Sequence, residues 1–388
     1  MKMRRIIGFY LSVALLSACV LTACDDDDPV IDSGEKEQAL LAIVEQYVNK
    51  TVLPAYKNLA DESLALYEMV VTFKGDQTDA NLKKVTDQWI KTRTYWELSE
   101  AFLFGPVDKL GIDPHIDTWP LDETEFLKRI NNQSDIANMN SENGDIWVGE
   151  HFRDAILGFH GIEYIFYKDG KVKSASEVKE NELIYALAVT GDLRNQCVRL
   201  EASWAGYGAV TKEKQELIDD KKLVYTMEDS SIPYGENMIK VGQTGSYYKT
   251  ITASAEEILE GCVTIADEVG DMKIGNAYRG DDPNYLESPY SYNSLVDFED
   301  NIISIQNAYL GGADKNNRGK SLSDYVKSVE PAADTKVKEA AVNAIAKIRA
   351  IPYPFEKNFT STEAGEAMGA CADLSEALTE AKSVLTRN

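Results

Sequence analysis

The sequence predicts an all-α protein made of two helical bundles. Along most of the 388 residues, apolar side chains recur at three- and four-residue steps, the spacing of one buried helix face. Alternating, β-branched patterns typical of strands are scarce. A chain of this length is ample for more than one hydrophobic core. We therefore expect one bundle over residues 37–206, a second over residues 249–388, and an inter-domain excursion over residues 207–248.

The first 23 residues have the plan of a secretory signal peptide. Lys2, Arg4 and Arg5 precede an apolar run over residues 6–16. That run is shorter than the roughly 20 residues that a membrane-spanning helix needs, and no later segment is long and apolar enough. We expect the leader to be removed and the body of the protein to be exported and soluble.

A cysteine at the end of the leader predicts lipidation. Residues 21–24, Leu-Thr-Ala-Cys, have the form of a lipobox, and residues 16–19, Leu-Ser-Ala-Cys, also fit. Cys24 is the better candidate, because four aspartates follow it directly and open an acidic tether over residues 24–36. We expect a protein anchored to a membrane by this lipid, at the outer membrane or the cell surface. An ordinary secretory leader with an incidental cysteine is the alternative.

The net charge limits the classes of ligand that the protein can bind, and the cysteine content limits its disulfides and metal sites. The formal net charge is -24, from 40 Lys and Arg against 64 Asp and Glu, so neither nucleic acid nor anionic lipid is an expected ligand. A cation is attracted more easily. Cys197, Cys262 and Cys371 remain after lipidation; they allow one disulfide at most, and their wide spacing shows no CxxC-type metal site. We expect them to be buried or paired structural residues.

Helix-period segments follow one another from residue 35 onward. Asp122 and Glu125 resemble a capping box that opens a short helix. Residues 206–248 have weaker periodicity, and we expect one short helix or hairpin there. The longer helices are predicted over residues 38–51, 53–73, 80–104, 152–167, 178–203, 250–269, 294–309, 336–351 and 361–385, and a short helical segment is predicted near residues 322–329.

The helix over residues 80–104 carries a charged stripe. Arg93, Glu97 and Glu100 stand at i, i+4 and i+7, directly beside a stripe that includes Trp89 and Trp96 and must be buried. Carboxylates at the border of a core need a partner, which Arg93, a cation or a histidine would supply. A surface array of salt bridges is the alternative interpretation.

A second cluster surrounds His160. His160 and Glu163 lie three residues apart in a helix-period segment, so they project from one face and could bind one ion. Gly158 and Gly161 each weaken a helix by about 1 kcal/mol relative to alanine, so we expect something to pack very close to them. Taken alone, the pair could equally be a buried histidine hydrogen-bonded to a carboxylate.

Four motifs in order resemble the imelysin family. They are residues 93–107, which begin Arg-Thr-Tyr-Trp-Glu; Ile-Asp-Thr-Trp-Pro at 116–120; Gly-x-His-x-x-Glu at 158–163; and Glu-Ser-Pro-Tyr-Ser-Tyr-Asn-Ser-Leu-Val-Asp-Phe at 287–298. The resemblance covers the chain from about residue 37 to the end. It implies two bundle-like helical domains of imelysin-like type, in exported bacterial proteins often linked to iron regulation or uptake.

The resemblance also implies a pocket between the two domains. It would include Gly158, His160 and Glu163. The candidates that join them are Glu97, Glu100 and Asp117 from the first domain, and Ser291 and Asn293 from the second.

The leading hypothesis is a non-enzymatic protein of metal uptake or sensing. It would bind iron or zinc through His160, Glu163, Glu97 and Glu100, since one imidazole with several oxygens suits either ion. An uptake system is an expected partner. Arg93, Asp117, Ser291 and Asn293 are further pocket candidates.

The alternative is a metallopeptidase that uses the His-x-x-Glu motif, as the family's peptidase label suggests. A zinc peptidase generally needs two histidines one helical turn apart. Here Tyr164 follows Glu163, and His151 lies nine residues before His160. No catalytic residue is therefore assigned. A protein that binds another extracellular ligand in the cleft is a third reading. His115 is expected to be an exposed loop residue.

Overall fold

The computed structural model describes residues 33–230 and 232–387, and the all-α prediction is confirmed there. The signal peptide and Cys24 lie outside the described residues. The first half of the described chain is helical apart from one short antiparallel hairpin. Its elements are α1 (Ser33–Tyr47), a π-helical turn Val48–Val52, α2 (Leu53–Gly75), α3 (Asp79–Glu97), a 3₁₀ turn Glu100–Phe102, α4 (Pro106–Lys109), α5 (Ile112–Asp117), α6 (Glu123–Ile130), α7 (Gln133–Met139), α8 (Gly144–His151), a 3₁₀ turn Asp154–Ile156, α9 (Gly158–Phe166), β1 (Tyr167–Lys168), β2 (Lys171–Val172), a 3₁₀ turn Ala175–Glu177 and α10 (Glu180–Ala205).

The second half contains helices alone among its regular elements, within the described residues. They are a 3₁₀ turn Tyr207–Ala209, α11 (Lys212–Lys221), α12 (Tyr234–Ile239), α13 (Ile251–Asp267), a π-helical turn Glu268–Ile274, α14 (Gly275–Arg279), α15 (Ser294–Tyr309), α16 (Leu322–Val329), α17 (Pro331–Ala350), α18 (Phe355–Asn358) and α19 (Thr362–Thr386).

The prediction of one helix over residues 80–104 was wrong. α3 ends at Glu97, where the Ser99 hydroxyl donates to the Trp96 carbonyl oxygen at 2.6 Å and satisfies a group that the helix end leaves free. The Ala101 N–H donates to the Ser304 hydroxyl of α15 at 2.9 Å. Side chains therefore take over hydrogen bonds that would have extended the helix.

Other predicted boundaries also differ, and three of the differences affect how the chain is divided into elements. The helices expected over residues 38–51 and 53–73 are continuous through a π-helical turn, and residues 207–248 hold α11 and α12 instead of one short element. The helix expected from residue 152 begins only at Gly158, because the left-handed φ of +62° at this glycine prevents the helix from extending back toward residue 152. The excursion is thus more ordered than its weak periodicity indicates.

The two halves of the described chain share one buried apolar cluster, from Leu40 to Leu385. α1 packs against α13 and α16, and the 3₁₀ turn Glu100–Phe102 packs against α13 and α15. The division into two domains at residues 206 and 249 stays a prediction. The ends of the described chain also meet, since Lys36 Nζ donates to the Arg387 carbonyl oxygen at 2.9 Å.

Two further sequence expectations concern the described residues. Cys197, Cys262 and Cys371 are all buried and none forms a disulfide, which agrees with the expectation that they are buried. None of the helices between residues 33 and 387, residue 231 apart, is both long and apolar enough to cross a membrane.

Candidate functional site

The C-terminal end of α5 fixes the start of α9, the helix that carries His160. A Cβ on Gly158 would lie 1.8 Å from the Ile116 carbonyl oxygen, and a Cβ on Gly161 would lie 2.4 Å from the Tyr185 hydroxyl oxygen. The expectation that something packs very close to these glycines is therefore confirmed. The Ile-Asp-Thr-Trp-Pro and Gly-x-His-x-x-Glu motifs form one unit. The backbone of the first motif occupies the space that a side chain on Gly158 of the second motif would need.

Both ring nitrogens of His160 face carboxylates. Nδ1 lies 3.2 Å from Glu163 Oε2, and Nε2 lies 3.1 Å from Asp117 Oδ1. Burial and the nearby Arg93 act to lower the pKa of His160, but the hydrogen bonds to Asp117 and Glu163 outweigh them, and the pKa is raised. The arrangement favours an imidazolium that donates from both nitrogens.

The loop before α15 holds the other side of Glu163. Its Oε1 accepts hydrogen bonds from the Tyr290 N–H at 3.0 Å, the Ser291 N–H at 2.7 Å and the Ser291 hydroxyl at 2.7 Å. Glu163 is fully buried. The structure thus brings Ser291 to the Gly-x-His-x-x-Glu motif.

Asp117 connects the His160 helix to α3. Its Oδ2 accepts from Trp96 Nε1 at 2.7 Å, and its Oδ1 lies 2.5 Å from Arg93 Nη1. Burial acts to raise the pKa of Asp117, but Arg93 and His160 outweigh it and hold the pKa well below its usual range. This carboxylate therefore stays ionised.

Arg93 lies at the centre of the site and not at the border of the core. It is completely buried, and its guanidinium lies over the Phe159 ring at 5.3 Å. Burial acts against its charge, but the surrounding carboxylates raise its pKa well above the usual value. These carboxylates are Asp117, Glu97 at 2.8 Å, Glu287 at 3.1 Å and Asp297 at 3.3 Å.

Asn293 acts on this centre through Asp297. Asn293 Nδ2 donates to Asp297 Oδ1 at 2.6 Å, and the Ser288 hydroxyl donates to Asp297 Oδ2 at 2.6 Å. Asp297 in turn pairs with Arg93. Asn293 therefore supports the site indirectly, because it contacts Asp297 and Asp297 contacts Arg93.

Lys273, on the π-helical turn, is a second buried cation. Its Nζ donates to Glu287 Oε1 and Asn301 Oδ1, both at 2.9 Å, and lies 3.6 Å from Glu100 Oε2 and 3.9 Å from Glu97 Oε2. Burial opposes its charge, but these glutamates raise its pKa well above the usual value. Asn301 Nδ2 also donates to Glu97 Oε2 at 2.6 Å.

Glu97, Glu100 and Asp117 form a group spaced for a shared cation, which we name the acidic cluster. One oxygen of each lies within 4.8 Å of the others, and no other set of three or more potential metal ligands has this spacing in residues 33–230 and 232–387. Burial raises the pKa of Glu97 and Glu100 well above the usual value, although Arg93 and Lys273 oppose it. His160 and Glu163 reach the cluster only through Asp117.

Sequence reasoning missed four members of this network, although some signals were present. Glu287 and Asp297 lie within the fourth family motif but were not singled out. Asp297 and Asn301 stand one turn apart on one face of α15, and both are buried. Polar residues at this spacing on a buried helix face indicate a polar contact inside the protein. Lys273 has no comparable sequence signal.

The other two histidines lie elsewhere. His115 was expected to be exposed, but its side chain is only 14% exposed, with Nε2 2.8 Å from Asp192 Oδ2 and Nδ1 3.2 Å from Asp154 Oδ1. His151 stacks on Trp147 at 4.8 Å between ring centroids. Neither contacts His160, so the His-x-x-Glu pair does not acquire the second histidine that a zinc peptidase generally needs.

Comparison with known proteins decides the family. The family model described as Imelysin, Peptidase_M75, matches residues 52–385. The chain belongs to the imelysin family. This imelysin is 27% identical over 326 residues to the "Iron-regulated protein A" of Synechococcus elongatus, covering 84% of this chain and 80% of that protein.

Solved imelysin structures share the fold. The crystal structure of a protein provisionally described as an iron-regulated protein A precursor, from Parabacteroides distasonis, superposes with a TM-score of 0.76 at 29% identity, covering 90% of this chain and 96% of that one. An imelysin-like protein from Psychrobacter arcticum superposes with a TM-score of 0.56 at 14% identity, covering 91% and 94%. The second likeness concerns the fold alone.

Proposed function

We propose that this imelysin binds a metal ion at the acidic cluster, as a non-enzymatic protein of iron uptake or sensing in the cell envelope. The observation that carries the proposal is a surplus of buried carboxyl groups over buried cations, a surplus that, together with burial itself, raises the pKa of Glu97, Glu100 and Glu287. Six carboxylates of the network are at most 8% exposed, whereas three groups can offset them: Arg93, Lys273 and a protonated His160. Protons or a further cation must offset this surplus, and a metal ion bound by Glu97 and Glu100 would take the place of their protons. The six are Glu97, Glu100, Asp117, Glu163, Glu287 and Asp297.

Unpaired oxygens support the same proposal. Glu287 Oε2 and Glu97 Oε1 are buried and accept no hydrogen bond. Glu97 Oε1 lies 2.8 Å from Arg93 Nη2, close enough for an ion pair but misaligned for a hydrogen bond. Buried acceptors without hydrogen bonds destabilise a protein, and a metal ion at the acidic cluster would satisfy Glu97 Oε1.

The donor chemistry favours a hard cation. The acidic cluster offers oxygens alone, and both nitrogens of His160 are engaged by carboxylates. Oxygen donors suit ferric iron and other hard ions better than zinc, which commonly takes nitrogen or sulfur ligands. The names of the Synechococcus and Parabacteroides relatives, which call them iron-regulated, agree with iron.

Within this proposal, the chain's residues have distinct roles. Glu97, Glu100 and Asp117 would hold the ion and supply its negative ligands. Trp96 fixes one oxygen of Asp117, while His160 and Arg93 fix the other. The Gly-x-His-x-x-Glu motif would therefore act as a positioning element for a carboxylate and not as the primary ligand set.

Acidic side chains also extend from the cluster toward solvent. The half-buried Asp113 and Glu268 lie close enough to Glu100 to raise its pKa, and the exposed Asp108 lies close enough to Asp113 to raise the pKa of that carboxyl. Together with the net charge of -24, this arrangement attracts cations. Asp108, Asp113 and Glu268 would guide an ion from solvent to Glu100.

Calorimetry with the purified mature protein tests the proposal. Fe²⁺ under anaerobic conditions, ferric citrate and Zn²⁺ would be titrated separately into wild type and a Glu97→Gln, Glu100→Gln double variant. We expect iron to bind the wild type in the micromolar range or tighter, and the double variant to lose that binding. Glu201→Gln is the matched control, because Glu201 is also buried and paired with a lysine, but outside the network. Equal binding by wild type and double variant would refute the site.

We also propose that the chain is exported and anchored through a lipid on Cys24, at the outer membrane or cell surface, where a metal-uptake system is its partner. The support is the leader and lipobox of the sequence. Cys24→Ser should move the protein from the membrane fraction to the soluble fraction, whereas Cys19→Ser should not. Membrane retention of the Cys24→Ser variant would contradict the anchor.

A further inference from the structure

We propose that the Lys273 ammonium is a built-in counter-ion of the acidic cluster, which an incoming metal ion displaces. The inference rests on the proposed metal-binding function and adds a determinant of its affinity. Lys273 Nζ is surrounded by oxygens of Glu287, Asn301, Glu100 and Glu97, at 2.9 to 3.9 Å. A ring of carboxylate and amide oxygens is also the environment that a hard metal ion requires.

Two of these carboxyl groups belong to both sites. Glu97 and Glu100 contribute to the acidic cluster and also face the ammonium. An ion bound to their carboxylates would lie about 2.0 to 2.6 Å from its oxygens, and therefore within a few ångström of Lys273 Nζ. Two positive charges that close repel strongly in a buried site, where little water screens them. The metal and the ammonium therefore compete.

Lys273 is better placed to leave than Arg93. The Arg93 guanidinium lies within 3.3 Å of four carboxylates. Lys273 makes two hydrogen bonds, to Glu287 and Asn301, and its contacts with Glu97 and Glu100 are longer. A lysine ammonium stands on a flexible four-carbon stem, unlike the planar fork of arginine.

The position of Lys273 on the π-helical turn Glu268–Ile274 gives it a short way out. The preceding residue, Met272, is 44% exposed, and Glu268 on the same turn is half-buried and close enough to raise the pKa of Lys273. Single π-helical turns inside helices occur frequently at functional sites. The ammonium can therefore move toward Glu268 without unfolding its helix.

Replacement of Lys273 tests the competition directly. Lys273→Gln keeps a polar side chain but removes the charge, so we expect Fe²⁺ to bind about tenfold or more tightly than in wild type, by anaerobic calorimetry. Lys214→Gln is the matched control. Lys214 is also fully buried and lies between two carboxylates, Asp61 and Glu201, each at 2.5 Å. Its replacement should leave the iron affinity unchanged. Unchanged or weaker affinity in Lys273→Gln would overturn the counter-ion proposal.

A second measurement uses the wild-type protein, in case Lys273→Gln folds poorly. The protein is treated briefly with an amine-acylating reagent at increasing Fe²⁺ concentrations, and labelled lysines are quantified by mass spectrometry. We expect labelling of Lys273 to rise several-fold with iron saturation, while labelling of Lys214 stays constant. Constant labelling of Lys273 in iron-saturated protein would overturn the proposal.

The two proposals fail in different ways. If wild type binds iron and the affinity is indifferent to Lys273→Gln, the metal-binding function stands and the counter-ion role is wrong. If neither wild type nor Lys273→Gln binds iron, both are wrong. Binding by Lys273→Gln alone would contradict both, because the ion would then fail to displace the ammonium from the native cluster.

Discussion

Asp117 Oδ1 lies 3.1 Å from His160 Nε2 and 2.5 Å from Arg93 Nη1, so one carboxylate oxygen joins the histidine of α9 to the arginine of α3. Because Asp117 and Glu163 favour the charged imidazole, the pKa of His160 is raised above its usual value. We predict that His160 stays protonated above pH 6.5 in a titration followed by NMR of the imidazole carbons.

The same titration in an Asp117→Asn variant isolates the effect of the carboxylate. Asparagine keeps the shape but removes the charge, while Arg93 and burial still act to lower the pKa of His160. Its midpoint should therefore fall below that of wild type. A midpoint that does not move would mean that Asp117 does not set the protonation of His160.

Gly158→Ala should destabilise the protein and disturb the site. Its φ of +62° disfavours any Cβ, and the added atom would meet the Ile116 carbonyl oxygen. We expect a loss of at least about 2 kcal/mol in the free energy of unfolding, measured in urea. Gly111→Ala is the control, since Gly111 has the same φ of +62° and no atom within 4 Å of its added Cβ. It should lose only about 1 kcal/mol from backbone strain. Equal losses would mean that the contact with Ile116 is unimportant.

Arg93→Met should be among the most damaging substitutions in the chain. It leaves four buried carboxylates without their shared cation, which costs about 3 to 5 kcal/mol of stability when one partner of a buried pair is removed. Arg349→Met removes an arginine from an ion pair with Glu299 at the surface, where the Arg349 side chain is 62% exposed. Thermal denaturation should show a large fall in Tm for the first variant and little change for the second.

Glu356→Gln should change the dependence of stability on pH. Burial raises the pKa of Glu356 to about 7, although a hydrogen bond from the Ser294 hydroxyl opposes it. The folded state therefore keeps a proton that the unfolded state releases near pH 4.5, so the contribution of Glu356 to stability is present at low pH and lost as the pH rises to about 7. We expect Glu356→Gln to gain stability relative to wild type between pH 5 and about 8, measured by urea denaturation at each pH. A constant difference across this range would contradict the raised pKa.

Local signals predicted the elements of the fold better than their ends. The helices expected at 294–309 and 322–329 have those bounds in the structure, where the Ser321 side chain caps α16. The helix expected at 80–104 ends early because Ser304, two hundred residues later, accepts the N–H of Ala101. A hydrogen bond of that range leaves no periodic pattern in the sequence.

The site was predictable as a set of motifs but not as a set of contacts. The four motifs that resemble the imelysin family pointed to His160, Glu163, Asp117 and Ser291, and hydrogen bonds join these residues in the structure. Lys273 could not be found in this way, because its role depends on the π-helical turn that directs it inward. The burial of Glu97 and Glu100 likewise follows from packing against α13 and α15, which helix periodicity does not reveal.

If the chain is anchored through Cys24 as we propose, the contact between Lys36 and Arg387 has a practical consequence for experiments on it. Both ends of the described chain lie close together. A tether that precedes Ser33 and a tag that follows Arg387 would therefore extend from the same side of the protein. With that anchor, an antibody against such a tag would have to reach the side of the protein that faces the membrane. Epitopes for surface-display assays are better inserted in the exposed turn around Gly280 and Asp281, which lies outside the regular helices.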